Sequence, residues 1–193
     1  MRTPSPVLRV PGALVAVLAG CVTPTVRSSE ALSSHAVNIA PEPANGIRVR
    51  GRCQIAPSKP PVASGALIVR VEAGRCHLTH LGTVSVEVEQ QLHVVLGTQS
   101  AQITLTTADG GRVRLSEVGA SDGRGDTLRF NGAARVVGGS GRFGSATGAV
   151  RMEGGTTSGD GRGGRAGSGV LKIDGWITYQ GAEPSAAAEG GDR

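Results

Sequence analysis

The side chains that could do chemistry are few, and most of them sit close together. Cys76-His77-Leu78-Thr79-His80 offers a thiol and two imidazoles within five residues, with Cys53 available from further up the chain. That is a zinc-type donor set by composition. Its spacing argues against it, because His77 and His80 on a strand would point to opposite faces. Glu87 and Glu89 are two residues apart, so a strand would present both carboxylates on one face, as paired acid/base groups require. The alternation around them, with Val84, Val86 and Val88 on the other parity, reads instead as a half-buried strand with its glutamates in water. His93 joins the glutamate face if that strand continues unbroken. No serine lies in an elbow motif. Arg124-Gly125-Asp126 matches an adhesion tripeptide, a match short enough to recur by chance.

Gly139-Ser140-Gly141-Arg142-Phe143-Gly144 fits the G-x-G-x-x-G dinucleotide fingerprint and follows a strand-like run. The fingerprint also needs a helix immediately after it, whose N-terminus holds the pyrophosphate. The residues that follow are strand formers interrupted by Gly148. Gly138, Gly139, Gly141 and Gly144 are therefore read as a structural turn between antiparallel strands, and no cofactor or metal is assigned.

Cysteine 21 has a different use. Arg2 and Arg9 precede a short apolar stretch at residues 10–19, which ends in Leu18-Ala19-Gly20-Cys21. This is the plan of an export signal, with a basic start and an apolar centre too short to span a bilayer. Its last four residues resemble the lipobox of bacterial lipoproteins. The resemblance implies cleavage after Gly20 and a diacylglyceryl thioether on Cys21. The chain is then expected to be exported and held on a bacterial cell membrane or outer membrane, with the domain outside the cytoplasm. With Cys21 so used, Cys53 and Cys76 remain as an even pair in an oxidising compartment, where a disulfide is expected. Two free buried thiols are the alternative.

These groups need elements to hold them. Glycine contributes 31 of 193 residues, about twice the usual ~7 %, and aromatics are confined to Phe130, Phe143, Trp176 and Tyr179. Short runs of Val, Ile, Leu and Thr separated by glycine turns point to many strands. Residues 1–20 are the signal, 21–45 a lipidated cysteine and polar tether, 46–180 the folded domain and 181–193 a disordered tail. Within the domain, strands are expected near 47–50, 65–73, 83–96, 101–108, 112–118, 127–137, 146–153 and 170–180. Loops are expected at 57–61, 121–126 and 154–169, the last glycine-rich and mobile. Asp109-Gly110-Gly111 marks a hairpin. The fold class is all-β, an antiparallel eight-stranded barrel, with a β-sandwich as the alternative.

The charge is +5. Loss of Arg2 and Arg9 with the signal leaves 5 − 2 = +3. Basic residues are spread singly and stacking aromatics are scarce, which argues against a nucleic-acid partner. Nothing in the sequence sets an oligomeric state.

Residues 136–148 (VVGGSGRFGSATG) and the closing 175–179 (GWITY) resemble the C-terminal half of bacterial allene oxide cyclase-like barrel proteins. Plant dirigent proteins share a related glycine turn. Residues 79–82 (THLG) and 105–110 (LTTADG) are also similar to segments of the bacterial group, so the likeness runs over about residues 64–180. It implies an eight-stranded barrel with an apolar interior and a small hydrophobic ligand as partner. In the plant cyclases the activity is ring closure of a fatty-acid epoxide. No functional residue of either family maps onto this chain. The expectation is a non-catalytic, membrane-anchored barrel, with a cyclase or isomerase of a hydrophobic substrate as the rival.

Overall fold

The computed structural model describes residues 39–124, 127–157 and 167–180. The expected signal, Cys21, residues 21–38 of the expected tether, Gly125 and Asp126 of the tripeptide, residues 158–166 of the glycine-rich stretch and the expected tail lie outside the described residues.

Eight antiparallel strands follow one another around a closed barrel, each bonded to the next in sequence and β8 to β1. They are β1 (Ile47–Ser64), β2 (Leu67–Leu78), β3 (Gly82–His93), β4 (Thr98–Thr107), β5 (Arg112–Arg124), β6 (Thr127–Ser140), β7 (Thr147–Thr157) and β8 (Gly169–Thr178). Pairing of β1 with β8, from Ile47↔Ile177 to Ile55↔Gly169, makes this a barrel and excludes the sandwich. Closure leaves no free edge over that length.

The two-residue period decides which side chains fill the interior. In β3, Val84, Val86, Val88, Gln90 and Leu92 are buried, while Glu87 and Glu89 are exposed. The other strands follow suit, and eight strands enclose a space that side chains can fill. Cys53 and Cys76 are directly opposite each other on β1 and β2. They form a disulfide inside the barrel.

One end is plugged. A single 3-10 turn, Gly141–Phe143, folds Phe143 inward until it is completely buried. Its ring centroid lies 4.7 Å from that of Tyr179. Of the four turn glycines, two have positive φ, Gly138 at 156° and Gly141 at 62°. Gly139 is needed for space, since a Cβ there would come within 2.3 Å of the Phe143 carbonyl oxygen. Gly144 has an ordinary helical φ of −56°.

Three expected boundaries change. Residues 57–61 belong to β1, which continues to Ser64. Beyond Ile55 it pairs only with β2, with register shifts on either side of Lys59. An edge strand tolerates prolines because no partner needs their missing N–H. Residues 121–124 are paired with β6 rather than turned, from Ser121↔Phe130 to Arg124↔Thr127, so only two residues separate β5 from β6. The glycine-rich stretch is shorter than expected, because β7 runs on to Thr157.

Candidate functional site

The interior changes character along its axis. From the Phe143 plug to mid-barrel it is aliphatic, with Ile47, Val49, Leu78, Val113, Leu115, Val150 and Ile173 all at most 2 % exposed. Towards the other end, where β1–β2, β3–β4 and β5–β6 turn back, a polar layer appears. Glu72, Gln90, Gln99, Glu117 and Thr156 are each at most 5 % exposed.

The layer is two connected groups. On β2, Arg70 and Glu72 share a face, and Arg70 Nη2 donates to Glu72 Oε1 at 2.6 Å. The same guanidinium donates through Nη1 to Thr156 Oγ1 on β7 at 2.9 Å. The second group runs across β3, β4 and β5. Gln90 Nε2 donates to Gln99 Oε1, and Gln99 Nε2 donates to Glu117 Oε1, both at 2.7 Å. Ala101 is directly opposite both Gln90 and Glu117. Its small side chain leaves Gln99, two residues along β4 on the same face, free to bridge them diagonally. Gly132 on β6 completes the space, since a Cβ there would lie 2.0 Å from Glu117 Oε1.

The two carboxyls differ in electrostatics. Burial raises the Glu72 pKa, and the charge of Arg70 pulls it back down. Burial pushes Glu117 up to about 7, against which only the Gln99 hydrogen bond acts. Among the described residues Glu117 therefore has no cation as partner, and it changes charge near neutral pH. Between the groups is a cavity of about 10 Å³, lined by Glu72, Gln90 and Glu117 with Ile55, Val88, Ala101, Phe130, Met152 and others. That is room for about one water molecule. A buried acid with a near-neutral pKa beside a cavity is the arrangement of a general acid/base or of a proton-linked device.

The residues singled out in sequence lie elsewhere. His77 is exposed, its Nδ1 3.3 Å from Thr83 Oγ1, and His80 sits in the β2–β3 turn with φ 61°. Both cysteines are taken by the disulfide. No group of three metal-ligating side chains occurs among the described residues. Glu87 and Glu89 face solvent. β3 does run on to His93, whose Nδ1 accepts from the Leu96 backbone N–H at 3.3 Å. The glycine turn holds the plug and leads into β7, with no helix after it.

Sequence reasoning missed Arg70, Glu72, Gln90, Gln99 and Glu117, although parity could have found them. Glu72 is in step with Cys76 and Leu78, and Glu117 with Val113 and Leu115, so each falls on the inward face of its strand. Beyond this layer the mouth carries an exposed apolar turn, with Val94 54 %, Val95 76 % and Leu96 67 % exposed.

No family model, no curated protein and no solved structure matches the chain.

Proposed function

We propose that the chain is an exported, lipid-anchored, non-catalytic β-barrel of the bacterial cell envelope, working as a rigid body through its outer surface. One observation carries this. The interior is packed around a buried disulfide, and the cavity beside Glu72 and Glu117, of about 10 Å³, is far below the ~300 Å³ at which ligand pockets begin. The disulfide favours an oxidising compartment, in keeping with the signal-like residues 1–20 and lipobox-like residues 18–21. The likeness to allene oxide cyclase-like barrels accords with the eight-stranded architecture.

Native mass spectrometry of the mature chain, purified from an oxidising compartment and compared with its denatured mass, tests the filled interior. The expected result is the polypeptide mass alone in both. A discrete mass lost on denaturation would overturn it. Labelling with a lipid precursor tests the anchor separately, and a Cys21→Ala variant that still labels would refute it.

A cyclase or isomerase acting inside the barrel is the second reading, favoured by Glu117. An acid with a pKa of about 7 is suited to moving a proton to or from an enclosed substrate. This reading requires the polar end to open by an order of magnitude in volume, with the side chains of Phe130, Met152 and Leu171 giving way. Activity would then be abolished in Glu117→Gln with the fold intact.

A further inference from the structure

The outer surface is polarised along the barrel axis. The tether arrives at Ile47, so one end of the barrel is the tether end, and the 3-10 turn and its Phe143 plug are at that same end. In the half of each strand nearer this end, the exposed side chains include Arg48, Arg50 and Arg52 on β1 and Arg75 on β2. Arg112 and Arg114 on β5, Arg135 on β6, Arg151 on β7 and Arg142 in the turn continue the set around the barrel. Among the described residues Glu42, Glu87, Asp109 and Asp174 oppose them there. Among the described side chains of the far half, Lys59 and Arg129 are balanced by Glu89 and Asp122, and Lys172, opposite Arg52 at the boundary, is paired with Glu153 at 3.6 Å.

Some of the tether-end cations pair with carboxylates among the described residues. Arg48 and Arg50 share the single carboxylate of Asp174, at 3.1 and 3.9 Å, and Arg142 has Asp109 at 3.6 Å. Arg52 is directly opposite Lys172 on β8, a like-charge cross-strand pair that weakens a sheet and that Glu153, 3.6 Å from Lys172, offsets in part. An anion outside the barrel would complete the compensation. Aromatic side chains with polar ends sit at the same place. Tyr179 is half-buried against Phe143, and Trp176 donates its indole N–H to the Ala40 carbonyl of the tether at 2.9 Å. Such side chains suit a membrane–water boundary.

We propose that this arginine-rich end of the barrel is a docking face for an anionic phospholipid surface, so that the plugged end lies on the membrane and the Glu117 end faces away. The inference deepens the lipid-anchored reading above and rests on it. Residues 22–46 at ~3.3 Å each limit the barrel to about 80 Å from the bilayer. The cations ring the end of the barrel at which that tether joins the fold, which favours the bilayer over a soluble polyanion. Lysines and arginines near an anionic surface contribute about fivefold each in affinity, and salt screens them.

The test uses the mature chain from residue 21 with Cys21→Ser, which contains all eight strands and carries no lipid. Vesicles of roughly one-third phosphatidylglycerol in phosphatidylcholine are compared with phosphatidylcholine alone, with salt varied around 0.1 M. Binding is expected only to the anionic vesicles and should weaken as salt rises. Arg75→Gln and Arg112→Gln together should reduce it about 30-fold. Lys59→Gln and Arg129→Gln, which remove the same charge from the far half, should cost less than about threefold. An equal loss in both double variants would overturn the proposal, because net charge rather than one end would then be responsible. Binding to soluble polyphosphate as tight as to vesicles would also overturn it, in favour of a polymer partner. Absence of binding to anionic vesicles at low salt would do the same. Lipid-precursor labelling of the wild-type chain reports on the anchor independently, so the two readings fail separately.

Discussion

Replacing Glu117 by glutamine isolates the electrostatic cost of the polar layer. The free carboxyl titrates at 4.5 and the folded one at about 7. Between those values the folded chain keeps a proton that the unfolded chain has lost. Stability therefore falls as pH rises through that window, by about 1.4 kcal/mol per pH unit, and levels off above about 7. The whole loss is about 3 kcal/mol, a large share of the 5–15 kcal/mol that holds a typical domain together. Glutamine keeps the volume of the side chain and an oxygen that can accept the Gln99 hydrogen bond, but it cannot ionise. The variant should match wild type near pH 4.5 and exceed it by about 3 kcal/mol at pH 8. For a domain of this size that is on the order of 10 °C in Tm.

Urea unfolding at several pH values between 4.5 and 8 measures the difference directly, and NMR titration of the carboxyl carbon gives the pKa itself. Glu72 also has a raised pKa, but it is present in both proteins and cancels in the difference. Stability curves for wild type and Glu117→Gln that run parallel across the range would refute the reasoning. They would mean that Glu117 is solvated or has a countercharge in solution.

Other perturbations probe neighbouring parts of the same frame. Arg70→Met leaves Glu72 buried without its cation and should cost about 3–5 kcal/mol at pH 8. Most of that should return at acid pH, where Glu72 takes up a proton, as urea unfolding at both pH values would show. Cys53→Ala with Cys76→Ala opens a loop of 22 intervening residues and should cost about 3 kcal/mol in the same assay. Phe143→Ala removes a fully buried plug and should cost about 3–5 kcal/mol, with faster amide exchange in β5 and β6 beside it. Gly132→Ala places a methyl where the Glu117 carboxyl lies and should destabilise the barrel by about 1–3 kcal/mol, read as a lower urea midpoint.

Most of the architecture was legible because it depends on period and punctuation. Alternating valines placed β3, and Asp109-Gly110-Gly111 placed the β4–β5 turn. An odd cysteine count, with Cys21 set aside, left Cys53 and Cys76 as the pair that the β1–β2 register brings together. The misread stretches were those where local composition and pairing disagree. Pro57, Pro60 and Pro61 say loop, yet an edge strand needs no N–H from them on its free side. Gly123 says turn, yet pairing with β6 carries β5 past it. The candidate site was hidden for another reason. A glutamate in a strand is ordinarily assigned to water, and only the parity of Glu72 and Glu117 with the cysteines and aliphatic residues beside them shows that they break that rule. Nothing local shows that Gln99 will bridge two strands, because the bridge depends on Ala101 being small and Gly132 being bare.

The position of the polar layer bears on how the barrel works. A barrel whose only task was rigidity would gain by replacing Glu117 with an apolar residue, since an uncompensated buried acid lowers stability at neutral pH. Here that acid lies in the half away from Ile47, where the chain enters the barrel, while the entry half is aliphatic within, plugged by Phe143 and ringed by arginine. Surface docking needs a stiff, cationic end and draws nothing from Glu117. The ionisable layer is therefore free to serve the opposite end, beneath the exposed turn of Val94, Val95 and Leu96. If the plugged end rests on the membrane, whatever meets this barrel from solution meets that turn first, with a group behind it that changes charge near pH 7. A Glu117→Gln variant that docks on anionic vesicles like wild type, yet has lost its pH-dependent stability, would show the two ends to be independent. A variant altered in both would show them coupled through the aliphatic core between them.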